Sequence, residues 1–289
     1  MPQTINTNLA SLNAQRNLSM SQSQLGTAME RLSSGMRVNS AKDDAAGLAI
    51  AERMNTQVRG MTVAMRNAND GISQAQVGEG ALGSVSNLFQ RMRELAVQSA
   101  NATNSSSDRA SLNQEFVQLA QEATRTLGGT QFNGQSILST TSDSVFQIGA
   151  NSSTDVDRLT VPAFNWAGNT NITGVLSTAV LSGTDVPTLQ IGGTDGTSAQ
   201  AAIGAIDDAI NAINDQRANF GAVQNRFENI VTNMQTATLN QSAARSRIMD
   251  ADYAAETSAL SRANILQQAG NAMVAQANQL PQQVLSLLK

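Results

Sequence analysis

The residue spacing in this chain with the most familiar chemical meaning is Gly78-Glu79-Gly80-Ala81-Leu82-Gly83, which fits G-x-G-x-x-G letter for letter. Such glycines hold a dinucleotide only where a buried strand turns into a helix and backbone N–H groups meet the pyrophosphate. The preceding residues, Asn69-Asp70-Gly71-Ile72-Ser73-Gln74-Ala75-Gln76-Val77, are too polar for a buried strand and keep helical spacing. Close packing of helices at small residues accounts for the match. Asp43-Asp44 and Asp207-Asp208 pair carboxylates, but adjacent helical positions diverge and do not converge on one substrate atom. Solvated or capping roles suit them better. With no histidine and no cysteine, Ser-His-Asp and Cys-His nucleophiles, His-based metal sites, thiolate ligands and disulfides are excluded. Methionine at seam positions more often fills core gaps than binds metal. No catalytic constellation, cofactor site or metal site is read from the chain.

The elements that carry these residues are constrained by composition. Of 289 residues, 40% are hydrophobic but only 3% aromatic. Large rings normally dominate a compact core, so thin helical layers of Ala, Leu, Ile, Val and Met fit better than a globular enzyme. The net charge of −4 leaves no basic stripe to displace counterions, which argues against nucleic acid. At the N-terminus the longest apolar runs are two or three residues, and there is no basic n-region. Neither a secretory signal nor a membrane span is expected.

The two ends are alike. Between Met1 and Met29 the only charge is Arg16, and beyond Glu256 the only charges are Arg262 and Lys289. Both ends repeat apolar residues at helical spacing: Ile5, Leu9 and Leu12, then Leu18, Leu25, Met29 and Leu32 at the start, and Leu266, Ala269, Met273, Leu280, Val284 and Leu287, with Gln276 in the same series, at the finish. This is coiled-coil spacing. Outside it stand Gln, Asn, Ser and Ala where a solvated helix would carry Lys and Glu, so the ends suit surroundings made of other copies.

Proline falls only at positions 2, 162, 187 and 281, leaving room for long helices between. One helix is predicted over about 57–100, from the steps Met61, Met65, Ala68, Ile72, Ala75 and Leu82, Val85, Phe89, Met92, Leu95. Asp108 is expected to cap the next, which buries Leu112, Phe116, Leu119 and Ala123 and leaves through a left-handed Gly128-Gly129 exit. From Thr130 to about Thr197, strands are expected at 145–148, 159–161 and 188–191, with Asn133-Gly134 and Asn151-Ser152-Ser153 as turns. Helical spacing then resumes from Ile203 to Met234, with Thr197 or Ser198 as cap. The expected fold is mainly α: a long antiparallel helical rod with paired terminal helices and a small β-rich central insert. Its domains are 1–42 with 255–289, 43–160 with 197–254, and an outer insert over 161–196 that is polar, Gly-rich and separate from the helical seams.

The stretch from Glu30 to Ala51, ERLSSGMRVNSAKDDAAGLAIA, closely resembles the hallmark N-terminal segment of bacterial flagellin. So do Ile5-Asn6-Thr7-Asn8, the run Arg91-Met92-Arg93-Glu94-Leu95-Ala96-Val97-Gln98-Ser99-Ala100-Asn101, the turn Thr130-Gln131-Phe132-Asn133-Gly134 and the ending Val284-Leu285-Ser286-Leu287-Leu288. The resemblance covers about 1–150 and 200–289. It implies a non-enzymatic, extracellular structural subunit that polymerises with itself into the flagellar filament. It further implies unfolded export through the flagellar type III apparatus with an export chaperone, and filament-cap and hook–filament junction proteins as partners. Host receptors of Toll-like type would meet Arg91, Leu95 and Glu115; those of plant receptor-kinase type would meet Arg31, Leu32, Ser33, Gly35, Arg37, Asn39, Lys42, Asp43, Asp44, Gly47 and Leu48. Ile5, Leu9, Leu12, Leu18, Leu25, Leu266, Met273, Leu280, Val284, Leu287 and Leu288 would form the polymerisation seam. A hook–filament junction protein shares such termini; a cytoplasmic helical scaffold is a reading from another class, with a cofactor-binding oxidoreductase the remotest.

Overall fold

The computed structural model describes residues 7–153, 156–176 and 187–286, with side chains to 279. Its elements are α1 (Leu9–Ser34), α2 (Ala45–Ala100), α3 (Ser106–Gly129), β1 (Gln131–Phe132), β2 (Gln135–Ser136), β3 (Ser144–Gln147), β4 (Arg158–Val161), α4 (Thr170–Thr173), α5 (Thr197–Met249) and α6 (Tyr253–Ser286). The chain forms two compact units, Met1–Val58 with Leu239–Lys289, and Arg59–Thr238. As expected, the fold is mainly α.

In the second unit, opposed numbering shows α2 and α5 running antiparallel. Met61 meets Thr238, Glu79 accepts from Gln224 at 2.9 Å, and Arg93 Nε meets Asp207 Oδ1 at 2.6 Å. Their facing sides carry the residues the helical spacing selects: Leu82, Val85, Phe89 and Met92 are buried with Phe116 and Leu127 of α3 and Ile206, Ile213, Phe220 and Phe227 of α5. The Phe146 ring on β3 meets Phe227 edge-on, centroids 5.4 Å apart, the arrangement the ring quadrupoles favour.

Several local expectations are corrected. Helix α2 begins at Ala45, not near 57, because the Asp44 carboxylate accepts from the Gly47 N–H at 2.8 Å and caps the Ala-rich start. For α3 the N-cap is Ser105, in a reciprocal capping box with Asp108. The Ser105 hydroxyl, and then its N–H, hold the Asp108 carboxyl below the usual carboxylate range. Helix α3 leaves through an extended Thr130 and not a left-handed glycine, since the chain enters β1 at once. Before α5, Asp195 accepts from the Thr197 N–H and hydroxyl, so neither Thr197 nor Ser198 is the cap.

Asn133 and Gly134 both have positive φ, 51° and 78°, the type I′ turn that matches hairpin twist. They join β1 to β2, and β3 pairs antiparallel with β4, Phe146 opposite Leu159. No strand forms at 188–191. There side chains take the backbone groups: Ile191 N–H donates to Asn113 Oδ1 at 2.9 Å, and its carbonyl accepts from Ser99 Oγ at 2.6 Å. The insert's expected separation from the helices is also corrected, because Phe164, Trp166, Ile172, Val175, Leu176 and Ile191 are buried in the helical core. Buried Arg109 fastens the insert's far end, donating to the carbonyls of Ser99, Asn101 and Thr194.

Candidate functional site

In the first unit α1 and α6 run antiparallel. Asn8 Nδ2 donates to the Ala277 carbonyl at 2.7 Å, Ser11 Oγ to Asn278 Oδ1 at 2.8 Å, and Arg31 lies 3.9 Å from Glu256. Along α1, Ser11, Ala14, Leu18, Ser21, Leu25, Ala28 and Leu32 are covered at an unbroken three-four spacing, with Thr27 and Arg31 half-buried beside them. Opposite them α6 offers Ala263, Gly270 and Ala277, and a Cβ on Gly270 would come within 3.1 Å of Leu18. The pair thus closes on Ser, Ala and Gly, with Leu18, Leu25 and Leu32 half-buried.

The large apolar residues are turned outward. Leu9 is 68% exposed, Met273 62%, and Leu12, Met20, Met29, Ile265 and Leu266 are exposed as well. Of the seam read from sequence, Leu18 and Leu25 are half-buried against the partner helix and Leu9 and Leu12 are exposed, while Leu266 and Met273, though exposed, border the groove between α1 and α6 beside Ala14, Leu18 and Ser21. Ala269 and Gln276, in the same C-terminal series, are also exposed. Ile5, Leu287 and Leu288 lie outside the described residues, as do the side chains of Leu280 and Val284. Sequence reasoning missed Ser11, Ser21, Ala28, Ala263 and Ala277. Their own heptad spacing was the available signal, obscured by weighting large residues. Burying a Leu or Met side chain is worth roughly 1.5–3 kcal/mol, against about 0.8 per CH₂ for an alanine. The larger stabilisation is therefore still unrealised on the outer face.

The segment 31–48 spans the end of α1, the link over 35–44 and the start of α2. Gly35 takes the left-handed conformation, φ 70°, and closes α1 with its N–H on the Arg31 carbonyl. Arg37 donates its guanidinium to the Ile248 carbonyl at 2.9 Å and its N–H to that of Met249 at 2.6 Å. Asn39 Nδ2 donates to Ser34 Oγ. Asp43 accepts from the N–H groups of Ser40 and Asn39 and from the Ser40 hydroxyl. The Ser40 N–H, then its hydroxyl, hold the Asp43 carboxyl below the usual range. Leu48 packs against Val38, Ala51 and Met249, Gly47 is buried, and Ser33 and Lys42 are exposed.

On α2, exposed Arg91 forms an ion triad. Its Nε and Nη2 donate to Glu115 Oε1 at 3.1 and 2.9 Å, and Nη1 to Glu94 Oε2 at 2.9 Å. Hydrogen bonding to Glu115, then Glu94, raises the guanidinium pKa further. Leu95 does not join this surface, because it is 1% exposed and packs inward. Gly78, Gly80 and Gly83 sit inside α2 and not at a strand-to-helix turn. A Cβ on Gly78 would come within 2.9 Å of the Phe220 ring, while Gly80 and Gly83 have open space. Asp207 is held by Arg93. Among the described residues no cluster of potential metal ligands forms, and no helix is long and apolar enough to cross a membrane.

Paired terminal helices that leave large apolar residues in solvent present a surface of the kind structural subunits use. Comparison with known proteins agrees. The model of the bacterial flagellin N-terminal helical region matches residues 5–143, and that of the bacterial flagellin C-terminal helical region matches 203–288. The chain is 47% identical over 290 residues to flagellin of Halalkalibacterium halodurans, covering 99% of each chain. It is 44% identical over 313 residues to flagellin of Xenorhabdus nematophila, covering 100% of each. A putative flagellar hook-associated protein from Vibrio parahaemolyticus shares the fold, with a TM-score of 0.56 at 12% identity over 72% of this chain and 100% of that one. This chain belongs to the bacterial flagellin family. It is a structural subunit of the extracellular flagellar filament, not an enzyme.

Proposed function

We propose that subunits polymerise through the outward apolar face of α1 and α6, Leu9, Leu12, Leu266 and Met273 with the flanking Ile5, Leu280, Val284, Leu287 and Leu288. Leu18 and Leu25 hold the pair together from within. The observation that carries this reading is the division of labour on the terminal pair, small residues inside and large apolar ones in solvent. In this account 1–42 with 255–289 form the filament core and 43–160 with 197–254 its wall, while 161–196 presents the outer surface and is anchored in the wall domain. Contacts that repeat head to tail without closing give a helical polymer. A seeded-growth pelleting assay on Leu12→Asp/Met273→Asp tests the reading. We expect helix content near wild type and elongation reduced at least about tenfold, since each charge would be buried without a partner. Wild-type elongation by the folded variant would remove this face from the account.

The same weak intramolecular seam supports unfolded export through the flagellar type III apparatus with a chaperone, followed by ordering under the filament cap and beside hook–filament junction proteins. Fixing each backbone residue costs roughly 1–2 kcal/mol, and alanines and half-buried glutamines return little of that before neighbours arrive. For recognition by Toll-like receptors we propose Arg91 with Glu115, leaving out inward-facing Leu95. For receptors of plant receptor-kinase type we propose the segment from Arg31 to Leu48, whose folded hydrogen bonds imply that a receptor reads it as released peptide. Arg91→Ala monomer is expected to activate the Toll-like receptor at least about tenfold more weakly with helix content unchanged, because a planar guanidinium supplies paired donors that alanine lacks. Undiminished signalling would discard that site.

A further inference from the structure

Among the described residues the exposed methionines are Met20, Met29 and Met273, at 50%, 57% and 62% exposure, and all three lie on α1 or α6. The others are covered: Met92 and Met249 are buried, Met36 packs against the Val38 cluster, Met61 receives the Thr238 hydroxyl, and Met54, Met65 and Met234 are half-buried. Oxidisable sulfur is therefore concentrated, in solvent, on the helix pair assigned to self-association. A thioether reacts according to its exposure, and its sulfoxide is a polar group where an apolar contact needs a flexible apolar one.

We propose that Met20, Met29 and Met273 are oxidation sites for hydroperoxides in the unassembled subunit, and that sulfoxide formation there blocks its incorporation into filaments. In the reaction a sulfur lone pair attacks one peroxide oxygen and the O–O bond breaks. The S–O bond forms, sulfur loses two electrons, and hydrogen peroxide leaves as water. The product places a strong S=O acceptor on the outer apolar face, where a neighbouring Leu or Ile offers no donor, so the contact loses more than its buried area. Once assembled, the same sulfurs are covered and protected, and the filament grows from reduced subunits only. This inference rests on the assignment of the outer α1/α6 face to assembly.

The test treats full-length monomer with hydrogen peroxide, maps the sulfoxides by peptide mass, and measures elongation from untreated seeds. Met20, Met29 and Met273 are expected to oxidise at least about tenfold faster than Met92 and Met249, elongation to fall at least tenfold with circular dichroism unchanged, and a mixture of the two epimer-specific methionine sulfoxide reductases to restore it. A Met20→Leu/Met29→Leu/Met273→Leu chain, checked for folding and untreated growth, is expected to elongate equally before and after peroxide. Undiminished elongation of wild type carrying all three sulfoxides would overturn the proposal, as would equal loss in the triple leucine chain. If Leu12→Asp/Met273→Asp blocks growth while the three sulfoxides do not, the assembly face stands and the oxidation proposal falls. If neither blocks growth, the face itself is wrong.

Discussion

Trp166→Ala is expected to destabilise the unit formed by residues 59–238 by roughly 3–5 kcal/mol, the usual cost of truncating a fully buried large ring. Trp166 has no exposed surface, and its backbone N–H donates to the Leu138 carbonyl at 3.1 Å, tying the insert to the segment after the first hairpin. Around it the insert supplies Phe164, Ile172, Val175 and Leu176 to the same core as Phe89 and Phe227. Exchange of 165–190 for a Gly/Ser linker, harmless if the insert were a separate outer flap, should therefore leave this unit largely unfolded. Urea titration followed by circular dichroism checks both. A loss under about 1 kcal/mol for Trp166→Ala would mean that the core closes without the insert.

Ending the chain after Gln279 is expected to abolish polymerisation while leaving a soluble, helical monomer. The cut spares the contacts that close the terminal pair at that end, Asn8 to Ala277 and Ser11 to Asn278, so little intramolecular stability is lost. What it removes is Leu280, Val284, Leu287 and Leu288 from a stretch whose only charge is Lys289. With Lys289 their only charge, these residues are proposed to be covered by other subunits on assembly. Circular dichroism and pelleting decide the matter. Filaments at the wild-type critical concentration would assign the assembly energy elsewhere.

The helical core was legible because its signal is redundant. Leu82, Val85, Phe89 and Met92 are large, regularly spaced and buried on one side, so periodicity alone finds them. The Asn133-Gly134 hairpin was legible because only a few residue pairs tolerate positive φ twice. The terminal face was not. In a two-helix pair an apolar residue can face its partner or await a neighbour, and spacing does not distinguish these. Ser11, Ser21 and Ala28 won the inner position because close approach favours small side chains, while Leu9 and Leu12 were left outside. Leu95 reads two ways, as part of the apolar series by its spacing and beside Arg91 by resemblance; it lies in the core, a rotation of about 40° from the exposed ion triad. The stretch at 188–191 alternates like a strand, but Ser99 and Asn113 satisfy its backbone in place of a neighbouring strand.

In the proposed assembly the terminal helix pair completes its burial only between subunits. Amide hydrogen exchange, compared between monomer and polymer and resolved along the chain, tests it most directly. Amides of 9–34 and 253–279 are expected to exchange readily in the monomer and to slow at least about a hundredfold in the filament, while those of 82–95 and 116–127 are protected in both. Terminal amides already as protected in the monomer as the α2 core, with no further slowing on polymerisation, would contradict it.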